Sequence, residues 1–139
     1  MDYTITWGGD PEDVWFKTRG VASVPDLDAM VREGVADPRW RDGMKILLDH
    51  SDCDWSEISL RAIQERADLL IEAADEIGYQ RCAFVVGDDS SYGVGRMLGL
   101  LLDSRVKFAA RAFMSVEEAR AWLAESTDDQ EAHVVPAAN

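Results

Sequence analysis

Cysteine is scarce in this sequence: Cys53 and Cys82 stand 29 positions apart in a chain of 139 residues. No Cys-x-x-Cys pair and no Cys/His cluster of zinc spacing occurs, which argues against a zinc finger or a thioredoxin-type redox pair. Long apolar runs are missing as well. No stretch of 18 or more apolar residues is present, and no signal-peptide pattern opens the chain. The resulting expectation is a cytoplasmic protein with reduced thiols and no membrane insertion. Positive charge is in deficit, with 14 Lys and Arg against 27 Asp and Glu, a net charge of −13. That balance disfavours nonspecific binding to nucleic acid or an anionic membrane, because both are polyanions.

What is present suits one globular domain. The apolar fraction is 47%, ordinary for a folded protein of this length. Tyr3, Ile5 and Trp7 alternate with polar residues, as do Val14, Phe16 and Thr18 with Trp15, Lys17 and Arg19. Between them Gly8-Gly9-Asp10-Pro11-Glu12 is turn chemistry, so the chain opens with an antiparallel hairpin. Helix and strand then alternate. Ser23 caps a helix bearing Leu27, Met30, Val31, Gly34 and Val35, which Pro38 ends. Lys45 to Asp49 reads as a short buried strand. Leu60, Ile63, Ala67, Leu70, Ala74 and Ile77 form an apolar stripe on one long helix stopped by Gly78, with Asp54 or Ser56 as its cap. Cys82 to Val86 is a strand, Tyr92 to Leu102 a helix, Val106 to Phe113 a strand, and Ser115 to Ala124 a final capped helix.

The order β-β-α-β-α-β-α-β-α predicts an α/β domain over residues 1–124. It has a largely parallel sheet of about five strands, an N-terminal antiparallel hairpin and four helices. Residues 125–139 read as a polar tail, in which His133 is solvated.

In an open parallel sheet, ligands gather at the carboxyl ends of the strands. The loops expected there are 20–23, 49–56, 87–91 and 113–115. The third, Gly-Asp-Asp-Ser-Ser-Tyr-Gly-Val-Gly-Arg-Met (87–97), sits where phosphate loops sit. It has no Gly-Lys-Ser/Thr, and the glycine a dinucleotide fingerprint needs falls on Leu98. Each neighbouring carboxylate at about 8 Å would repel an anion by roughly 0.5–2 kcal/mol. A helix terminus attracts one by only about 0.3–1 kcal/mol. The loop therefore reads as a strand-to-helix turn, with Ser90 or Ser91 as cap and Gly95 and Gly99 allowing close packing.

Asp49, His50, Asp52, Asp54, Asp88 and Asp89 could ligate a metal, but their spacing matches no calcium loop, and solvated turns are the preferred reading. No Gly-x-Ser-x-Gly elbow accompanies Ser51, Ser56, Ser90 or Ser91. Cys53, placed in a loop, would be reactive only if a helix terminus lowered its pKa. The expectation is no metal, no cofactor and no catalytic residue.

The segments Arg-Cys-Ala-Phe-Val-Val-Gly-Asp-Asp-Ser-Ser-Tyr-Gly-Val-Gly-Arg-Met-Leu-Gly-Leu-Leu (81–101) and Arg-Ala-Phe-Met-Ser-Val-Glu-Glu-Ala-Arg-Ala-Trp-Leu (111–123) resemble the SpoIIAA-like branch of the STAS domains, the fold of the anti-sigma-factor antagonists. The matching positions are Tyr92, Gly93, Arg96 and Met97, then Phe113, Glu118, Ala119, Trp122 and Leu123. The resemblance implies a regulatory, protein-interaction or ligand-binding role without catalysis. In antagonists of this type a serine after the third strand is phosphorylated. Ser56 is the nearest equivalent here and Ser59 the next, although the Ser-Ser-Gly signature is absent and Asp52 and Asp54 oppose added negative charge.

Three functions from different classes follow. The first is a protein-interaction module whose contacts are Trp55, Ser56, Ser90, Ser91, Tyr92 and Arg96 on the rim, with Ser59 beside them. Trp55 is read there either as an interface anchor or as a side chain folded back on its own domain. The second is a small-molecule or lipid-binding domain, with Met30, Met44, Met97 and Met114 as pocket lining or as plain core. The third is an enzyme using His50 or Cys53. A homodimer through the hairpin, with Trp7 and Trp15 at a sheet edge, is a further expectation.

Overall fold

β1 (Asp2–Trp7) and β2 (Val14–Val21) pair antiparallel, from Asp2 opposite Arg19 to Trp7 opposite Val14, as their alternation predicts. This and all that follows comes from a computed structural model, which describes residues 1–125. The expected tail beyond Glu125, with His133, lies outside the described residues.

After the hairpin come α1 (Val24–Ala36), β3 (Lys45–Asp54), α2 (Leu60–Glu72), α3 (Ala74–Ile77), β4 (Arg81–Val86), α4 (Asp89–Leu102), β5 (Ala109–Phe113) and α5 (Val116–Ala124). The strands lie in the order β1-β2-β3-β4-β5, parallel from β2 onward. The α/β architecture is the expected one, with β1 as the antiparallel edge.

Four details differ from the sequence reading. β3 runs to Asp54, well past Asp49, because β2 keeps pairing with it after a bulge: Lys17 faces Asp49, but Arg19 faces Asp52 and Val21 faces Asp54. The long third-layer helix breaks at Ala73, whose ψ of 2° leaves the helical region. No glycine or proline marks that break; the short segment after it ends at Gly78, where the Ile77 carbonyl accepts from the Trp40 indole at 3.0 Å. β5 begins at Ala109, since Val106 and Phe108 are buried under the sheet edge rather than paired in it. α4 starts three residues early, at Asp89.

Consecutive strand order sends every crossover the same way. The apolar residues of α1, α2 and α4 therefore join one core with Val14, Phe16, Ile46 and Cys82. Among the described helices α5 alone covers the other face, where Leu47, Ala83, Val85, Phe113, Ala119, Trp122 and Leu123 form a second core.

Candidate functional site

The three-helix face is not filled. Alternate residues of the strands point into it: Phe16 from β2, Leu48 and His50 from β3, Phe84 from β4, and Ala110 and Ala112 from β5. Opposite them α4 offers Gly95 and Gly99. A Cβ on Gly95 would lie 3.1 Å from the Phe84 ring and 3.3 Å from the Ala112 methyl, so the helix backbone does approach the sheet closely there. Glycines and alanines supply little volume where the walls are held apart by Trp40, Trp55 and Phe108. What remains is a cavity of about 90 Å³ with an almost wholly apolar lining. No methionine lines it. Met30 and Met44 are packed core, and Met97 and Met114 are exposed, so the methionine-lined pocket is not what the fold builds.

Arg66, Trp55 and His50 are among the polar side chains that interrupt the lining. Arg66, on α2, is only 7% exposed. Its guanidinium has no hydrogen bond or ion pair with any described residue, and burial pushes its pKa down to about 10, with Asp28 the only charge that opposes this. Trp55 is buried, its ring edge-on to His50 at 5.2 Å and to Phe84 at 5.8 Å, and its indole Nε1 has no acceptor. His50 is fully buried, with Nδ1 2.6 Å from the Thr18 hydroxyl. Burial, helped by the Arg66 charge, pushes the imidazole down to about 3, so the ring is neutral. The Thr18 hydroxyl is 3.5 Å from the Asp49 carbonyl, a much weaker contact than the one to Nδ1.

A smaller cavity lined by Val24, Ile58, Ala62 and Val94 shares Leu27, Trp55, Arg66 and Leu98 with the larger one. Val24 begins α1, Ile58 and Ala62 flank the start of α2, and Val94 lies in the first half of α4. Arg66 and Trp55 thus stand between the main cavity and the carboxyl-end rim.

On that rim the expected contact residues separate. Ser56, Ser59, Ser90 and Arg96 are exposed, and Tyr92 is half-buried. Trp55 and Ser91 are not surface residues, being 6% and 3% exposed. Trp55 folds inward over the end of β3 onto His50, which withdraws it as an exposed anchor. The caps also shift. Asp88, not Ser90 or Ser91, caps α4 by accepting from the Ser91 amide at 2.8 Å. Ser59 caps α2 by accepting from the Ala62 amide at 3.0 Å. Asp54 and Ser56 precede that helix, and Asp54 instead accepts from the Ser56 amide at 2.8 Å. Gly87 is required by close approach: a Cβ there would lie 2.5 Å from the Ser51 carbonyl oxygen.

Of the acidic residues weighed as metal ligands, Asp49, Asp52, Asp54 and Asp88 have other partners. Asp49 accepts from the Ser51 hydroxyl at 2.6 Å and lies 3.3 Å from the Lys17 ammonium, which also meets Asp52 at 2.8 Å. Burial works to raise the Asp49 carboxyl, but the Ser51 bonds and Lys17 carry it below its ordinary value. Among the described residues no group of three or more His, Cys, Asp or Glu could hold a metal ion. Cys53 is on β3 and buried, not in a loop, and burial raises its thiol pKa rather than lowering it. Cys82 is a core thiol pushed up to about 12.

Trp7 and Trp15 are half-buried, with Arg39 and Arg120 over their rings at 4.5 Å and 5.7 Å. No described helix is long and apolar enough to cross a membrane.

Arg66 and Thr18 were absent from the candidate residues. A signal for Arg66 existed, because it falls on the α2 stripe between Ile63 and Leu70, where an arginine has no solvent to reach. Comparison with protein-family models, curated proteins and solved structures returned no match.

Proposed function

We propose that this domain is a non-catalytic binding module whose ligand is a small molecule held between the sheet and α1, α2 and α4. The observation that carries the reading is the apolar cavity of about 90 Å³ inside an otherwise close-packed domain. Native interiors hold few voids larger than a water, and an unfilled one forfeits dispersion contacts along its whole lining. Dry apolar cavities take up small apolar molecules. The resemblance of 81–101 and 111–123 to the SpoIIAA-like domains supports a role without catalysis. The test is titration of the labelled protein with toluene, followed by amide NMR. Saturable shifts centred on Gly95, Gly99 and Phe84 are expected; shifts spread over the surface, or none, refute the reading.

A second reading, a protein-interaction module, is favoured by Leu60, which is 70% exposed beside the exposed Ser59 and Ser56. An exposed leucine at the start of a helix suits a partner's pocket, and phosphorylation of either serine would recharge that contact. Loss of a co-purifying partner on Leu60→Asp, with the fold intact, is its test; no partner from the native cytoplasm dismisses it.

A further inference from the structure

We infer that the cavity ligand is a small organic monoanion, a carboxylate carried on a compact apolar body, with its charged end on Arg66. The inference rests on the cavity-binding reading above and names the chemical class of the ligand.

A guanidinium this deeply buried carries a desolvation cost of several kcal/mol unless an opposite charge meets it. Arg66 has no ion pair or hydrogen bond among the described residues, Asp28 acting on it only from a distance, and no aspartate or glutamate lines the cavity. One further donor borders the same space without an acceptor, the Trp55 indole Nε1. The unmet groups are therefore all donors, and one carries a full positive charge. A carboxylate supplies what they lack. Its two oxygens accept from the fork of an arginine, and a third donor can meet a remaining lone pair.

Among the described residues Arg66 is the cation of the lining without a partner, and one such cation neutralises one negative charge. Arg111 also touches the cavity, but it has other interactions. A dianion such as a phosphate monoester would bring a second, uncompensated charge into an apolar wall, inside a protein already at −13. The rest of the cavity is ring and aliphatic surface from Phe16, Leu48, Phe84, Leu98 and Phe108. At about 10–15 Å³ for each water-sized occupant, its 90 Å³ has room for about six to nine non-hydrogen atoms. An aromatic or short branched carboxylate fits that size; a long-chain fatty acid does not. The shared lining of the two cavities puts Arg66 on the rim side, so the anion lies nearest the strand ends and the apolar body points inward.

The test is calorimetric titration of the full-length protein with benzoate, benzamide, toluene and palmitate, repeated on Arg66→Met and Arg66→Lys. For the parent, benzoate is expected to bind at least about 30-fold tighter than benzamide, the fold-change of about 2 kcal/mol for a charge-assisted pair. Arg66→Met should lose that preference and still bind toluene. Arg66→Lys, which keeps the charge without the fork, should fall between them, and it serves alone if the methionine variant does not fold. Toluene binding with no preference for benzoate overturns the anion assignment and leaves the cavity reading standing. Absence of binding by all four probes overturns both. Palmitate binding more tightly than benzoate overturns the size assignment and moves the ligand to the lipids.

Discussion

Arg81 and Arg66 lie against opposite faces of one sheet, and both are more than nine-tenths buried. On the α5 face, the Arg81 guanidinium stacks on the Trp122 ring at 3.7 Å and donates to the Trp122 carbonyl from Nη2 at 2.8 Å and Nε at 3.3 Å. That carbonyl belongs to the last turn of α5, where a cation also meets the negative end of the helix. Arg81 thus ties the helix to the sheet. Arg66 ties nothing to anything. It faces a space that the surrounding side chains leave open, and its charge is uncommitted within the described chain. A buried cation that has a partner belongs to the fold; one that lacks a partner costs stability and is available to a ligand.

The largest effect expected from that contrast is a difference in sign. Arg81→Met removes the bonds and the stacking that tie Trp122 to the sheet, leaving its carbonyl only the Glu125 amide at 3.2 Å, and should cost about 2–4 kcal/mol of stability. Arg66→Met replaces an unpaired buried charge by an apolar side chain of similar length. It should leave the ligand-free protein unchanged or more stable by about 1–3 kcal/mol. Urea unfolding at neutral pH, with m-values compared to confirm two-state behaviour, measures both. Equal losses would mean that Arg66 is a structural residue and would break the contrast.

Acid should act on the open face first. The folded-state pKa of His50 is near 3 against an ordinary 6.5, so the unfolded chain binds its proton first as pH falls. The stability this group contributes is complete above about pH 6.5 and is lost progressively towards pH 3, at up to about 1.4 kcal/mol per unit. Asp49 on the other face, with its lowered carboxyl, contributes stability that is complete above about pH 3.8, its ordinary value, and is lost only below it. Thermal melts between pH 7 and 4 should therefore show a steep decline in the parent and a shallower one in His50→Gln. The same slope in both would assign the acid sensitivity elsewhere.

Sequence pattern carried most of the fold. The hairpin, Ser23 and Ser115 as caps, and Cys82 to Val86 as a buried strand all follow from local rules of period and capping. The extension of β3 through Ser51-Asp52-Cys53-Asp54 did not. Such a run reads as a loop by composition, and only pairing with Gly20 and Val21 makes it a strand. The site was harder to read because it is defined by volume that is missing. Gly95 and Gly99 were legible as close-packing residues, yet the hollow they leave depends on how Trp40, Trp55 and Phe108 meet from three separate elements. For Trp55 the sequence favours the side chain folded back on its own domain over an outward anchor, and its packing on His50 and Phe84 is inward. Arg66 was hidden by the habit of assigning arginines to the solvent side of a stripe.

The smallest expected effect compares the faces as volumes. Ala83 and Ala110 lie on neighbouring strands, pointing to opposite sides. Ala83 is wholly buried beside Leu47 and Val85, whereas Ala110 borders the cavity. Valine suits a strand at either position, so propensity cancels and packing decides. Ala83→Val pushes two methyl groups into a filled layer and should cost about 1–3 kcal/mol. Ala110→Val places the same groups in empty space and should add about 0.5–1 kcal/mol, at the low end of cavity-filling gains. It should also weaken toluene and benzoate together, because it takes room from both, while Arg66→Met weakens benzoate alone. Chemical unfolding and the same titrations read the two results. Destabilisation by Ala110→Val as large as that by Ala83→Val would mean the open face is as tightly packed as the closed one, and the cavity could not be the binding site.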